Sequence, residues 1–306
     1  MNEKPLERIR VVGLGQACID YLGTCPFYPD VDSKIELAGL QIRCGGPAST
    51  ALVTLSRLNV PTSFLGSVSD DPFGLKIVNN LQKEKVDITS LKIVPGYTSQ
   101  FAFIAVNKDD GKRTIFWHRG SVPHLKADDV DLSIFPNAQI LHIDSLMTDA
   151  AIEAARQAKA AGMFVVMDGG TMRKGTSRLV SLVDILIASE TFATSLVGFE
   201  APIETALNGF QKMGPGQVVI TLGAKGSVGI NDQGIIRQEA FNVKTVDTTG
   251  AGDVYHGGYI YGLLNGWEMG ECMRFASACA ALKCKETGAQ NGISDIKAVR
   301  KFMEAR

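Results

Sequence analysis

The stretch 138–168 reads AQILHIDSLMTDAAIEAARQAKAAGMFVVMD. It opens with a short apolar run, continues with an alanine-rich segment of helical pattern, and closes with a second apolar run. Short β-rich runs separated by longer helical patterns are typical of β-α-β units, in which the two strands are parallel. This stretch therefore predicts an α/β fold.

The same alternation continues beyond this stretch. A strand-like run, DILIASE, is followed by the helical patterns ETFATSLVG and IETALNGFQKMG and then by another strand-like run, QVVITLG. Repetition of this kind predicts a mostly parallel sheet with helices on both faces.

The pattern differs before Gly120, where strand-like runs are joined by turn-rich segments such as NKDDGK. These runs are 35–43, 100–107 and Arg113–His118. We expect them to form a small antiparallel sheet outside the main one, and a lid is one use for such a sheet. Because no linker-like tract interrupts the sequence, we predict a single domain over 1–306, with a β-lid built from segments within 15–43 and 98–120.

The composition is that of an ordinary globular protein. The chain has 306 residues, 45% of them apolar, and 31 basic residues against 32 acidic ones give a formal charge of −1. Nearly balanced charge implies no bulk attraction to nucleic acid or to an anionic membrane, so we expect neither as a partner. The six cysteines form no C-x-x-C pair, and no apolar signal segment opens the sequence, which together favour a cytoplasmic location. The four histidines lack metal-binding spacing and are assigned no catalytic role.

The segment DTTGAGD, residues 247–253, lies where a β-branched run gives way to a helical pattern. Backbone N–H groups of glycine and alanine at the start of a helix form a concavity for an anion such as a phosphoryl group. A carboxylate beside a bound phosphate is repelled by it, and general-base work gives Asp253 a reason to be there: it accepts the proton of an attacking alcohol. The alternative is that Asp253 only caps the helix.

Two motifs together resemble those of the ribokinase-like carbohydrate kinases, the PfkB family. DTTGAGD matches the C-terminal signature of that family, and GGPASTALVTLSRLNVPTSFLGSVSDDPFG at 45–74 is similar to its N-terminal signature. The resemblance runs in register over about 10–292. It implies ATP-dependent phosphorylation of a sugar hydroxyl, with Mg²⁺, on a Rossmann-like α/β core with a small β-sheet lid.

The resemblance also implies roles for single residues. Asp253 matches the catalytic base, and the anion hole of the family matches Gly250, Ala251 and Gly252. The positions that hold the sugar in the family match Asp20, Gly45, Gly46 and Thr50. Many members have Asn where this chain has Thr50, and the shorter side chain leaves the identity of the substrate open.

The nucleotide side is implied by weaker motifs. TLGAKG at 221–226 is similar to the turn that supports ATP, with Thr221, Gly223 and Gly226 at the matching positions. Many members have N-x-x-E where this chain has Ser189 and Glu190, so either Glu190 contributes to Mg²⁺ binding from a shifted position or the phosphates and water hold the ion.

A monovalent cation site is implied by two loops. TGAQNG at 287–292 matches the loop that encloses the cation in several members, and the positions expected to surround K⁺ are Asp247, Thr249 and Gly288. Oxygen ligands of this kind suit a hard cation such as K⁺. Gly292 stands where some members have a hydroxyl side chain.

The absence of the N-x-x-E motif makes ketohexokinase-like branches of the family a better comparison than ribokinase itself. We expect a ketohexose or a pentose as substrate, with a nucleoside or an anionic sugar derivative such as a keto-deoxy sugar acid as the alternative. Arg119 could bind a carboxylate or sulfonate, and Arg173 could touch the transferring phosphate; both could also be arginines without such a role.

The alternative to an enzyme is a non-catalytic protein that binds a sugar or a nucleotide. Open lid edges lead us to expect a homodimer that pairs the lids.

Overall fold

The computed structural model describes residues 5–305, which form two β-sheets and the helices around them. In chain order the strands of this part of the chain are β1 (Val11–Leu14), β2 (Cys18–Cys25), β3 (Gly39–Gly45), β4 (Thr62–Val68), β5 (Leu91–Ile93), β6 (Phe101–Asn107), β7 (Arg113–His118), β8 (Ile140–Ile143), β9 (Phe164–Gly169), β10 (Ile185–Ser189), β11 (Gln217–Thr221), β12 (Ser227–Asn231) and β13 (Gly234–Gln238).

The α-helices of the same residues are α1 (Pro47–Arg57), α2 (Pro72–Lys83), α3 (Thr148–Ala160), α4 (Thr176–Val180), α5 (Glu190–Val197), α6 (Ile203–Lys212), α7 (Ala251–Leu264), α8 (Met269–Lys283) and α9 (Ile296–Glu304). None of the helices between residues 5 and 305 is long and apolar enough to cross a membrane.

The main sheet has the strand order β13-β12-β11-β10-β9-β8-β1-β4-β5. Its strands pair in parallel from β11 through β5, and only β12 and β13 at one edge run antiparallel to their neighbours. The stretch 138–168 forms β8, α3 and β9, with β8 and β9 parallel neighbours. The predicted mostly parallel α/β sheet is confirmed.

Helices cover both faces of this sheet, as the sequence predicts. Successive side chains of a strand point to opposite faces, so Val12 and Leu14 of β1 pack into the core that contains α3, α5 and α6, while Val11 packs into the core that contains α1, α7 and α8. Both cores consist largely of buried aliphatic side chains. The carboxyl ends of the parallel strands therefore form an edge between two helix layers, where ligands bind in folds of this class.

The second sheet has the strand order β3-β2-β6-β7. Its outer pairs are antiparallel, as expected for a small antiparallel sheet, whereas the central pair, β2 with β6, is parallel. The physical reason is that β2 follows β1 and β6 follows β5, and both leave the same edge of a parallel sheet in the same direction.

The first lid segment is shorter at its start than predicted. The expected run 35–43 forms a strand only from Gly39 onward, and that strand continues to Gly45. The predicted strand Arg113–His118 has the bounds that the structure gives to β7. The assignment of the whole chain to one domain with this lid stays a prediction.

Candidate active site

The cleft lies at the carboxyl edge of the parallel strands, where several polar residues follow a strand end. Asp144 follows β8, Asp168 is at the end of β9, and the last residues of β10 and β11, Ser189 and Thr221, are paired neighbours. Parallel strands place all their carboxyl ends on one side, so residues that are far apart in sequence meet there.

The carboxylate of Asp247 holds the loop 247–253 in place through hydrogen bonds. One carboxylate oxygen accepts hydrogen bonds from the backbone N–H and the hydroxyl of Thr249, at 2.8 and 2.7 Å, and the other accepts the N–H of Gly288 at 2.7 Å. The backbone oxygen of Asp247 accepts a bond from the buried ammonium of Lys283 at 2.7 Å. The structure thus brings together the three residues expected around K⁺, although Thr249 and Gly288 point N–H or O–H groups at the carboxylate.

The glycines of this loop serve two different needs. Gly250 has φ 75°, a left-handed conformation, and a Cβ there would lie 2.7 Å from the Cα of Ala289, so this position needs glycine for its conformation and its close packing. Gly252 is exposed in the first turn of α7, and a Cβ there would meet nothing within 4 Å. Gly252 therefore faces the open cleft, which is the placement that an anion-binding backbone requires.

Asp253 follows these residues in the first turn of α7. The side chain of Asp253 is partly exposed. The surrounding protein nevertheless desolvates the carboxyl group, which raises the pKa of Asp253 to about 6. The charge of Asp168 acts in the same direction, while the charges of His256, Arg113 and Lys283 lower the pKa. A carboxyl group with a pKa near 6 is matched to proton transfer at neutral pH.

Asp20 lies on the lid strand β2 and is almost completely buried. Gly45 lies directly against it, since a Cβ at Gly45 would fall 2.0 Å from a carboxylate oxygen of Asp20. Burial raises the pKa of Asp20 to about 7, partly offset by a hydrogen bond from the Cys18 thiol at 3.2 Å, and the charges of Asp253 and Asp247 raise the pKa further. The charge of Asp253 is therefore close enough to act on the carboxyl of Asp20.

The other residues expected to hold the sugar are placed less uniformly. Gly46 precedes α1 as its N-cap residue, next to Gly45. Thr50 is buried in α1, and its hydroxyl accepts a long bond of 3.4 Å from the side chain of Gln290. Arg119 is exposed and donates from Nε to Nε2 of His124 at 2.7 Å. Substrate contacts by Thr50 and Arg119 stay predictions.

The lid contacts the loop 247–253 through the start of β7 and the preceding turn. Arg113 donates to the hydroxyl of Thr248 at 2.9 Å, and that hydroxyl in turn donates to the carbonyl oxygen of Gly111 at 3.2 Å. Thr248 belongs to DTTGAGD, so the lid and the loop 247–253 are in direct contact.

A cavity of about 250 Å³ opens beside this edge, and Gln16, Trp117, Asp144, Asp168 and Arg173 are among the residues that line it. Trp117 belongs to the lid strand β7, and the guanidinium carbon of Arg173 lies 5.8 Å from the centre of its ring, a cation–π distance. The cavity thus lies between the lid strand β7 and the carboxyl ends of strands of the main sheet.

The residues expected on the nucleotide side also lie at this edge. Ser189 caps α5 by accepting the N–H of Phe192, and the Thr221 hydroxyl lies 3.3 Å from the Ala188 carbonyl oxygen. Gly223 and Gly226 flank a short 3₁₀ turn between β11 and β12, as predicted for TLGAKG. Glu190 is exposed, and in residues 5–305 no three or more His, Cys, Asp or Glu side chains are grouped to hold a metal ion.

Sequence reasoning missed two carboxylates of the cleft, Asp144 and Asp168. Burial raises the pKa of both, to about 6 for Asp144, whose carboxylate accepts the backbone N–H of Gln16 and Leu146. Their signal in the sequence is an acid directly after an apolar run, as in ILHID and FVVMD. Such acids point to a ligand edge only when the strands are known to be parallel.

Comparison with known proteins assigns this arrangement to a family. The profile described as pfkB family carbohydrate kinase matches residues 8–296. The chain belongs to the pfkB family of carbohydrate kinases. It is 31% identical to a ribokinase of Haemophilus influenzae over 302 residues, which span 95% of this chain and 97% of that protein. The kinase prediction is therefore confirmed.

Other relatives differ in their substrates. The chain is 26% identical to a nucleoside kinase of Methanothermobacter thermautotrophicus, covering 95% of both, and 27% identical to a 5-dehydro-2-deoxygluconokinase of Clostridium perfringens, covering 96% of this chain and 92% of that protein. The structure of Arabidopsis thaliana ribokinase with ribose and ATP superposes with a TM-score of 0.83 at 28% identity, over 97% of this chain and 99% of that chain. The expected closeness to ketohexokinase-like branches finds no support in these relatives and stays a prediction.

Proposed function

We propose that this pfkB-family kinase transfers the γ-phosphoryl group of ATP to a hydroxyl of a sugar, a ketohexose or a pentose. The observation that carries the proposal is the position of Asp253, directly behind Gly250, Ala251 and Gly252 at the start of α7 and with a pKa of about 6. A base with this pKa beside a backbone anion site fits transfer to an alcohol better than simple helix capping.

The reaction follows from the two sides of the cleft. The sugar lies over Gly45 and Gly46, and the carboxylate of Asp20 accepts hydrogen bonds from its hydroxyls. The hydroxyl that reacts is placed toward Asp253, which accepts its proton as the oxygen attacks phosphorus. The N–H groups of Gly250, Ala251 and Gly252 then stabilise the negative charge on the transferring phosphoryl oxygens.

ATP and Mg²⁺ fit the residues present. ATP would extend from the anion hole toward Ser189, Thr221, Gly223 and Gly226. Mg²⁺ neutralises phosphate charge when bound, and it usually keeps several waters and few protein ligands, which suits a cleft without a dedicated carboxylate cluster in residues 5–305. K⁺ near Asp247, Thr249 and Gly288 stays part of the proposal.

A second substrate class, a nucleoside or an anionic sugar derivative, is supported by the cavity under the lid. Trp117 offers a ring face on which a base or sugar can stack, and Arg173 brings a guanidinium that has no hydrogen-bond or ion-pair partner on its side chain within residues 5–305. Because Arg119 is bonded to His124, Arg173 is the better placed of the two arginines to meet a carboxylate.

The test is turnover of ATP with a panel of ketohexoses, pentoses, nucleosides and keto-deoxy sugar acids. A sugar turned over at a rate well above the background hydrolysis of ATP supports the proposal. Preference for a sugar acid that is lost in Arg173→Met would select the second class. Absence of transfer to any compound, with ATP still bound, would favour the non-catalytic rival.

The proposal also includes a homodimer and a cytoplasmic location. The outer lid residues leave apolar side chains exposed, and Phe116 is 59% exposed, which supports a homodimer that pairs the lids. All six cysteines are free thiols, which supports a cytoplasmic location.

A further inference from the structure

His256 lies one turn after Asp253 on α7 and is buried, with 4% of its surface exposed. Its Nδ1 is 2.7 Å from the carbonyl oxygen of Gly252, and its Nε2 is 3.2 Å from the carbonyl oxygen of Ile187 on β10. Both nitrogens of a buried imidazole therefore face backbone carbonyl oxygens.

These contacts determine the protonation state of the ring. A carbonyl oxygen only accepts hydrogen bonds, and a neutral imidazole donates from one nitrogen while the other presents a lone pair. A neutral His256 would direct that lone pair at a carbonyl oxygen in a buried place, which is unfavourable. The imidazolium form donates from both nitrogens and satisfies both contacts.

The surroundings of His256 supply the negative charge that a buried cation needs. Nε2 lies 3.7 Å from a carboxylate oxygen of Asp168, the acid at the end of β9. Within residues 5–305, no side chain donates a hydrogen bond to the Asp168 carboxylate in competition with this contact. The second nearby acid is Asp253, which lies in the preceding turn of α7.

We propose that His256 stays protonated and is the internal counter-ion of the carboxylates Asp168 and Asp253. It acts as a positioning residue: its bond to the Gly252 carbonyl fixes the peptide that joins the anion hole to the base, and its charge keeps Asp253 ionised at neutral pH. The inference rests on the proposed function, since it takes Asp253 to be the base.

The other charged groups around Asp253 do not substitute for the positive charge of His256. The carboxylates of Asp20, Asp144 and Asp168 face the same cleft, and each makes ionisation of a neighbouring acid harder. The positive charges besides His256 are Arg113 from the lid and Lys283 from α8. Of the three cations, His256 has the largest effect in lowering the pKa of Asp253, and it also lowers the pKa of Asp168.

A second buried imidazole, His142 on β8, offers a matched control. Its ring centre lies 5.6 Å from that of His256, and neither of its nitrogens has a hydrogen-bond partner of normal geometry within the described chain. Burial and the charge of His256 lower the pKa of His142 to about 3, with a weak opposing interaction from the Val166 backbone, so this ring is neutral. The two rings share a site but differ in charge.

The kinetic test compares the pH dependence of kcat/KM in His256→Gln, His256→Asn and His142→Phe, with the best sugar of the panel. Both His256 variants remove the positive charge, although each amide keeps an NH₂ group that can donate a hydrogen bond. The acidic limb of the profile should move up by about one pH unit, because an opposite charge a few ångströms away shifts the pKa of a carboxyl group by that order. Because the pKa of Asp253 moves from about 6 to about 7, the loss of turnover at pH 6 should be roughly fivefold larger than at pH 9. His142→Phe should leave the limb in place.

Folded His256 variants with an unmoved limb would overturn the proposal, as would His142→Phe moving the limb as far. A direct measurement covers the case in which the variants do not fold. Protein labelled with ¹⁵N-histidine should show, at pH 8, one histidine with protons on both ring nitrogens, and this signal should be absent from any folded His256 variant. Four neutral rings at pH 8 would overturn the proposal without any assay of activity.

The same experiments separate this inference from the proposed function. If Asp253→Asn retains turnover, Asp253 is not the base and the proposed function fails, whatever the state of His256. If Asp253→Asn is inactive and the labelled protein shows a neutral His256, only the inference about the counter-ion fails.

Discussion

The proposed phosphate end and the proposed sugar end of the cleft are built from different kinds of group. At the proposed phosphate end the group is the backbone of 250–252, and the buried carboxylate of Asp247 holds this loop through Thr249 and Gly288. At the proposed sugar end the groups are side chains such as Asp20 and Trp117, which lie on the lid strands β2 and β7. In this proposal, backbone groups serve phosphoryl transfer and side chains serve recognition of the substrate.

The largest effect is expected at the phosphate end, from Asp253→Asn. The amide keeps the size of the side chain and its ability to cap α7 but cannot accept the proton, so turnover should fall by roughly 10²–10⁴-fold. Binding of sugar and ATP, measured by calorimetry on the same variant, should survive. Turnover within a few-fold of the parent would mean that Asp253 is only a helix cap.

The second prediction separates two glycines of the same loop. Gly252→Ala adds a methyl group to the open cleft, where nothing in the protein lies within 4 Å of it, so the variant should fold like the parent but lose roughly 10²-fold in turnover through displacement of the phosphoryl group. Gly250→Ala must take a left-handed φ of 75° against Ala289 and should lower the free energy of unfolding by about 2 kcal/mol or more.

Thermal unfolding and turnover measured on both variants check this pair. Equal losses of stability would show that Gly252 is also held by packing. A fully active Gly252→Ala protein would show that the transferring phosphoryl group does not approach this position.

The third prediction concerns Asp20 at the sugar end. Its pKa of about 7 in the folded protein lies above the ordinary value of 3.8, so between pH 4 and 7 the folded protein holds a proton that the unfolded chain releases. Stability therefore falls as pH rises through this window. Asp20→Asn should remove that fall, with a free energy of unfolding about 1–3 kcal/mol above the parent at pH 8 and little difference at pH 4.

The same variant should bind sugar less well. Loss of a charged acceptor should lower kcat/KM for the sugar by roughly tenfold to a hundredfold and leave the KM for ATP nearly unchanged. Chemical denaturation at pH 4 and pH 8, together with these kinetics, tests both statements. A variant that is less stable than the parent at pH 8 would show that Asp20 is structural rather than a strained binding group.

The two ends also differ in how far the sequence predicts them. DTTGAGD predicts the glycine loop at the start of α7, because a few adjacent residues specify this backbone conformation, while its role as an anion hole stays a prediction. Asp144 and Asp168 were missed because their proximity depends on the register of parallel strands, and Lys283 because its contact with Asp247 depends on the packing of α8. The parallel pairing of β2 with β6 was missed for a similar reason: strand direction is set by the main sheet and not by the lid sequence.

The role of His256 shows the same limit. A histidine after GAGD has no recognisable spacing, and the proposal for it depends on the carbonyl oxygen of Ile187 and the carboxylate of Asp168, which α7 reaches only through tertiary packing. By contrast, β7 was predicted with its observed bounds because the β-branched and aromatic residues of RTIFWH favour a strand locally.

The fourth prediction returns to the phosphate end and concerns K⁺. If oxygen atoms around Asp247, Thr249 and Gly288 bind the ion next to the anion hole, replacing K⁺ by tetramethylammonium at equal ionic strength should lower turnover several-fold. Circular dichroism should show an unchanged fold. Equal rates in the two salts would mean that the hydrogen bonds of Asp247 and the ammonium of Lys283 already hold the loop without a bound ion.

The smallest effect on turnover is expected from the lid surface, on the side away from the cleft. Phe116 is on β7 and is 59% exposed, while its neighbour Trp117 lines the cavity under the lid, so the two side chains point to opposite faces of the strand. If lids pair through the Phe116 face, Phe116→Glu should halve the molar mass measured by light scattering, because a desolvated carboxylate opposes association. Turnover should change by only a few-fold, since the cleft face of the lid is untouched. A parent protein that is monomeric across a wide concentration range would remove the dimer, and a dimer that survives Phe116→Glu would place its interface elsewhere.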